Sequence, residues 1–141
     1  MDGPKEMVHR LVHATNARDI DALVDCFTDD YINETPNHPA RSFRGCAQVR
    51  RNWEQIFEFV PDLRVEVLRC TVDGDMAWTE WDMRGTRRDS TAHHLCGVII
   101  FEVRNSRAVR ANFYLEPVDD GDASVSDAVS AQVVREPVVA P

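Results

Sequence analysis

The sequence predicts an α+β fold in which three N-terminal helices pack on one face of a curved, mostly antiparallel sheet, closing a cone with a blind interior. Helical spacing of apolar residues is confined to the stretch before Pro61, as in Met7, Val8 and Leu11 or Val49, Trp53 and Ile56. From Leu63 to Val118 only strand-like runs follow, divided by turns too short for anything but an antiparallel meander. The helices can cover one face of such a sheet, so the other face is left to solvent or to a partner.

The chain of 141 residues is 43% hydrophobic, which suits one domain around one core. A net charge of −8 leaves no basic stripe for a phosphate backbone, which argues against nucleic acid and anionic membrane surfaces as partners. No apolar run approaches the ~20 residues of a membrane span, and the charged start MDGPKE lacks a signal-peptide core. The cysteines Cys26, Cys46, Cys70 and Cys96 are widely spaced, as befits packed thiols in a reducing compartment. A cytoplasmic location is the expectation.

Gly3 and Pro4 begin a first helix that ends near Asn16 to Arg18. Asp19 reads as the N-cap of a second, carrying Ile20, Leu23, Val24 and Phe27 on its stripe. From Asp30 the period changes to two, so Tyr31, Asn33 and Thr35 share one face of a short strand, which Pro36 to Pro39 stop. Gly45 opens a third helix, ended by Pro61. Strands are expected over Leu63 to Val72, Met76 to Thr86, His93 to Arg104 and Ala108 to Val118. The domain is read as residues 1–118. Residues 119–141 form an acidic tail read as mobile, with a helix through Val125, Ala128, Val129 and Val133, docked on a partner or on the domain itself, as the alternative.

The strings NARDIDALVDCFTDDY, FVPDLRVEVLRCTVDGDMAWTEWDMRGT and GVIIFEVRNSRAVRANFYLEPV, in this order of elements, resemble the SnoaL-like branch of the nuclear transport factor 2 (NTF2-like, ketosteroid isomerase-like) superfamily across roughly residues 5–118. The resemblance implies the cone and a pocket for a small molecule. It does not carry over the known catalytic sets. The ketosteroid isomerase positions fall on Leu11, Thr35 and Ile99, which offer neither the oxyanion donors nor a competent base. The epoxide hydrolase triad falls on Trp81, Met83 and Phe113, although Tyr31 and Asn33 match the Tyr-x-Asn pair that positions water there.

With Trp81, Met83, Ile99 and Phe113 as implied pocket positions, joined by Trp53 and Phe57, the interior is largely aromatic and suits a hydrophobic ligand. Tyr31 and Asn33 are the favoured polar, catalytic contacts. His93 and His94 must face opposite ways, and the one that reaches the pocket is a candidate general base; His94 is carried as that residue, with Asp82 beside it. Alternation nevertheless sets Glu80, Asp82 and Arg84 on the outer face unless a bulge shifts the register. His38 lies in the loop near the mouth. His9 and His13 have chelating spacing without a third ligand, so neither metal nor cofactor is called for. Trp78, Val98 and Ile100 would make the outer face apolar and favour a homodimer. The expected function is binding of a polycyclic, terpenoid or polyketide-like ligand, with metal-independent isomerase, cyclase, lyase or epoxide hydrolase chemistry. The alternative is a non-catalytic ligand-binding or protein-interaction module.

Overall fold

A computed structural model describes residues 3–135. Helix α1 (Pro4–Ala17) buries Met7, Val8, Leu11, Ala14 and Thr15 along one stripe. It ends where Arg18 turns left-handed at φ 55°, freeing the guanidinium to donate to the Leu63 carbonyl at 3.0 Å. The Asn16 amide pairs with both backbone groups of Val65, accepting at 2.8 Å and donating at 3.0 Å. These bonds pin the end of the helix to the sheet edge.

Helix α2 (Ile20–Val24) starts from Asp19, whose carboxylate accepts from the Ala22 amide, as expected of an N-cap. It stops before Phe27, which the helical stripe had included. The chain enters strand β1 (Phe27–Glu34) three residues early because the last strand captures its backbone: Phe27 pairs with Ala108, and the Ala108 amide donates to the Cys26 carbonyl at 2.8 Å. After a 3-10 turn at Pro39–Arg41 comes a strand the sequence did not announce, β2 (Phe43–Arg44), then α3 (Cys46–Phe59). The meander follows as β3 (Arg64–Asp73), β4 (Met76–Thr86), β5 (Ala92–Arg104) and β6 (Arg107–Pro117).

The six strands form one sheet in the order β2-β1-β6-β5-β4-β3, antiparallel throughout except for the β1–β6 pair. The expected antiparallel meander and helix-covered face are therefore present. A register shift does occur beside the central strand, but it lies in β3 between Val67 and Arg69, so β4 keeps strict alternation. Ala77, Thr79, Trp81 and Met83 face inward and are buried, while Trp78, Glu80, Asp82 and Arg84 face out.

Beneath the helices Met7, Leu23, Trp81 and Phe101 are among the fully enclosed side chains, each worth ~1.5–3 kcal/mol or more on area grounds. The Trp81 indole N–H donates to the Thr79 hydroxyl at 2.6 Å, which donates in turn to the Ile99 carbonyl at 2.6 Å. That chain lets a polar ring edge sit in the core.

Within the acidic tail, residues 125–133 form helix α4 (Val125–Val133), started by a reciprocal cap between Ser124 and Asp127. A helix is present as in the alternative reading, but it is not docked on the domain: none of its residues is buried. Residues 136–141 of that tail lie outside the described residues. All four cysteines are free thiols, and among the described residues no helix is long and apolar enough to cross a membrane.

Candidate functional site

Between α3 and the inner face of the sheet lies a cavity of about 260 Å³. Helix α3 contributes Val49, Asn52, Trp53 and Ile56, a single i, i+3, i+4, i+7 face. Strand β1 contributes Phe27, Tyr31 and Asn33, with Thr35 just past its end, and the meander contributes Met83, His93, Leu95, Phe113 and Leu115. Period-two alternation puts these side chains on one side because the strands are in register: Met83 faces Leu95, Gly85 faces His93 and Gly97 faces Leu115.

Polar groups in this lining are few. The Tyr31 hydroxyl donates to Asn33 Oδ1 at 2.7 Å. Desolvation pushes the Tyr31 phenol pKa far up, so it remains a donor throughout the neutral range. Once Oδ1 is engaged, Asn33 is oriented with its NH2 available to an occupant of the cavity. His93 stands at the same wall, and burial together with the charge of Arg87 pulls its pKa below the ordinary imidazole value. Its neutral form is therefore favoured, which leaves a ring nitrogen able to accept a proton. Arg41 brings one cation to the lining, which contains no carboxylate among the described residues.

The expected site residues divide by depth and by face. Tyr31, Asn33, Trp53, Met83 and Phe113 meet in the cavity. Trp81 and Ile99 point the same way but belong to the buried core beside it. Phe57 packs behind Trp53, with ring centroids 5.6 Å apart, and carries the Arg18 guanidinium over its ring. His94 and Asp82 are not in the cavity. Because His94 pairs with Arg84, it shares the outer face, where its Nε2 lies 2.7 Å from Asp82 Oδ1. The interior histidine is His93, so the candidate base moves by one residue. Counting back from the Met83–Leu95 pair would have identified it, but the register was not visible in the sequence. The α3 spacing could have revealed Asn52. Arg41, on an irregular turn, gave no signal. His38 faces away from the interior as well, held by Glu116 at 2.7 Å.

A wider groove of about 790 Å³ runs between α1 and β3, bordered by Lys5, His9, His13, Glu66 and Arg69. Its charged rim and open form suit solvent. The enclosed, aromatic cavity with its oriented amide is the better ligand site.

The sequence profile of the SnoaL-like domain matches residues 8–111. No curated protein matches significantly. Solved structures with the same fold include a loop-truncation variant of IdmH, 21% identical, covering 80% of this chain and 92% of its own with a TM-score of 0.68. A protein of ketosteroid isomerase-like fold from Catenulispora acidiphila, in complex with trimethylamine, is 16% identical over 91% of this chain and 92% of its own, with a TM-score of 0.68. A candidate SnoaL-like polyketide cyclase from a Jannaschia species is 19% identical over 79% and 84% of the two chains, with a TM-score of 0.67. With the profile spanning most of the cone and these folds superposing on it, the chain belongs to the SnoaL-like family of the NTF2-like superfamily.

Proposed function

We propose that this chain binds a small hydrophobic molecule bearing a carbonyl or hydroxyl oxygen and promotes proton transfer on it, as a cofactor-free isomerase or cyclase. The observation that carries the reading is the Tyr31–Asn33 pair set into an otherwise apolar, aromatic wall. The Asn33 NH2 would donate to the ligand oxygen while Tyr31 fixes the amide's orientation. His93 would remove a proton beside that oxygen and return it elsewhere, since among the described residues no carboxylate lines the cavity to do so. An enolate formed in this way would be held by Asn33. The neighbour named as a candidate polyketide cyclase belongs to the same chemical class.

Size narrows the ligand. A cavity of about 260 Å³ falls below the ~300–1,000 Å³ of drug-sized sites, which favours a one- or two-ring terpenoid or aromatic polyketide fragment over a four-ring steroid. In this reading residues 1–118 are the working unit in a reducing, cytoplasmic setting, and two copies associate through the outer sheet face. The second reading, a binding module without turnover, is supported by a lining whose described residues include no acidic group.

The test is fluorescence quenching of Trp53, which borders the cavity, by phenolic, monoterpenoid and polyketide-like compounds. Saturable quenching should vanish in Trp53→Phe and persist in Trp81→Phe. Asn33→Ala should weaken binding about tenfold, the value of one hydrogen bond. Turnover of a bound compound that is lost in His93→Gln while binding remains identifies the enzyme; binding without turnover identifies the module. Quenching indifferent to Asn33→Ala overturns the oriented-amide reading.

A further inference from the structure

On the outer face of the sheet three potential metal ligands converge. Asp82 on β4 and His94 and Cys96 on β5 come together because Asp82 pairs with Cys96, and His94 is two residues away on the same face. Cys96 Sγ lies 3.6 Å from Asp82 Oδ1 and 3.7 Å from His94 Nε2, and Nε2 lies 2.7 Å from Oδ1. Among the described residues this is the set of three such groups whose ligand atoms gather closely enough to hold an ion.

The geometry argues against a Cys-His-Asp catalytic triad. In a triad the nucleophile and the acid engage opposite nitrogens of the imidazole, so that the ring relays one proton. Here thiol and carboxylate both approach Nε2. One ring nitrogen cannot serve both, whereas a cation placed among the three atoms satisfies all of them at once. Ligand bonds of ~2.0–2.3 Å at tetrahedral angles set N, O and S donors roughly 3.3–3.6 Å apart. The sulfur separations, 3.6 and 3.7 Å, lie at the upper edge of this spacing. The short N–O edge is a hydrogen bond that would open by about half an ångström as the ion replaces its proton.

We propose that Asp82, His94 and Cys96 form a divalent-metal site, matched best by Zn2+, with Asp82 Oδ1, His94 Nε2 and Cys96 Sγ as ligands and solvent in the fourth position. A thiolate, an imidazole and a carboxylate form a borderline-soft set that favours Zn2+ over Mg2+ or Ca2+. Binding releases the Cys96 thiol proton to solvent, while His94 coordinates through Nε2 as the neutral tautomer that carries its N–H proton on Nδ1. The Arg84 guanidinium donates to the other carboxylate oxygen, Oδ2, at 2.8 Å, which aims Oδ1 at the site. Glu66 acts on the Arg84 charge, and Glu80, which also pairs with Arg69, acts on Cys96. The site lies on the opposite side of the sheet from the cavity, and its ligands take no part in the proposed proton transfer.

The experiment titrates the full chain with Co2+ and then displaces it with Zn2+. One equivalent of Co2+ should give a thiolate-to-metal charge-transfer band that Zn2+ abolishes. Cys96→Ser should remove the band and weaken Zn2+ binding about 100-fold or more, and His94→Ala and Asp82→Asn should each weaken it at least about tenfold. Cys70→Ser and the double variant of His9→Ala and His13→Ala should leave it unchanged. Without any substitution, Zn2+ should protect Cys96 from alkylation, mapped by mass spectrometry, so a variant that misfolds does not decide the matter. A band that survives Cys96→Ser, or wild-type Cys96 alkylated equally fast with and without Zn2+, overturns the proposal.

Discussion

Trp81 and Thr79 sit two residues apart on β4, both fully enclosed, and one depends on the other. The indole N–H has the Thr79 hydroxyl as its partner, and that hydroxyl passes its own proton to the Ile99 carbonyl. Replacing Thr79 with valine preserves shape but strands a buried donor and leaves the Ile99 carbonyl without this bond. Thr79→Val should therefore cost about 1–3 kcal/mol in urea unfolding, while Thr79→Ser, which keeps the hydroxyl, should cost less. The same pair shows what sequence alone conveys. Alternation correctly placed Trp81 inward with Met83. It could not distinguish a ring that lines the cavity from one that is sealed beside it, since depth depends on which helix lies overhead. Met83 borders the cavity and Trp81 does not. For the adjacent histidines the ambiguity was one of face: the sequence required them to diverge, but only the β4–β5 register assigns His93 inward and His94 outward.

At the level of elements, the hairpin turns and the period of each strand were legible because both are local. What was not legible came from pairings distant in sequence. Capture of the backbone near Phe27 by β6 shortened α2, and the two-residue β2 exists because it pairs with Ile32 and Asn33. The glycine within β5 is another such case. Gly97 holds φ 148°, opposite Trp81, and a Cβ there would lie 2.1 Å from the Tyr114 carbonyl oxygen and 2.9 Å from Leu115 Cα. Those are backbone atoms of the neighbouring strand, which cannot swing aside. Gly97→Ala should thus combine backbone strain with overpacking and lower stability by roughly 2–4 kcal/mol. Gly74, in the β3–β4 turn at φ 58°, has no atom within 4 Å of such a Cβ. Gly74→Ala should cost only about 1 kcal/mol, the left-handed penalty alone. Chemical denaturation of the two variants compares the terms directly; equal costs would mean that β5 can move to relieve the contact at Gly97.

For the molecule as a whole, the helices cover one side of the sheet and leave the other bare. Trp78 is 52% exposed and Tyr114 36%, with Val98 half-buried between them: Val98 pairs with both Glu80 and Tyr114, while Trp78 pairs with Ile100. Such a patch, ringed by Glu80, Asp82, Glu102 and Arg110, has the layout of an interface with an aromatic centre and a charged rim. A second copy is the economical occupant, because a two-fold axis through the patch sets each Trp78 against the same surface of the partner. The expected outcome is a dimer in sedimentation equilibrium. Trp78→Glu removes two central aromatics per dimer and puts two carboxylates in their place. At ~2 kcal/mol for each lost anchor, about 4 kcal/mol in total, the dissociation constant should rise roughly a thousandfold. The cavity, by contrast, lies on the other side of the sheet from Trp78, so the monomeric variant should still quench through Trp53 with the wild-type affinity. A wild-type chain that stays monomeric at high concentration would assign the patch to a different partner. A Trp78→Glu monomer that loses ligand binding would show that the cavity depends on the assembled sheet rather than on the cone alone.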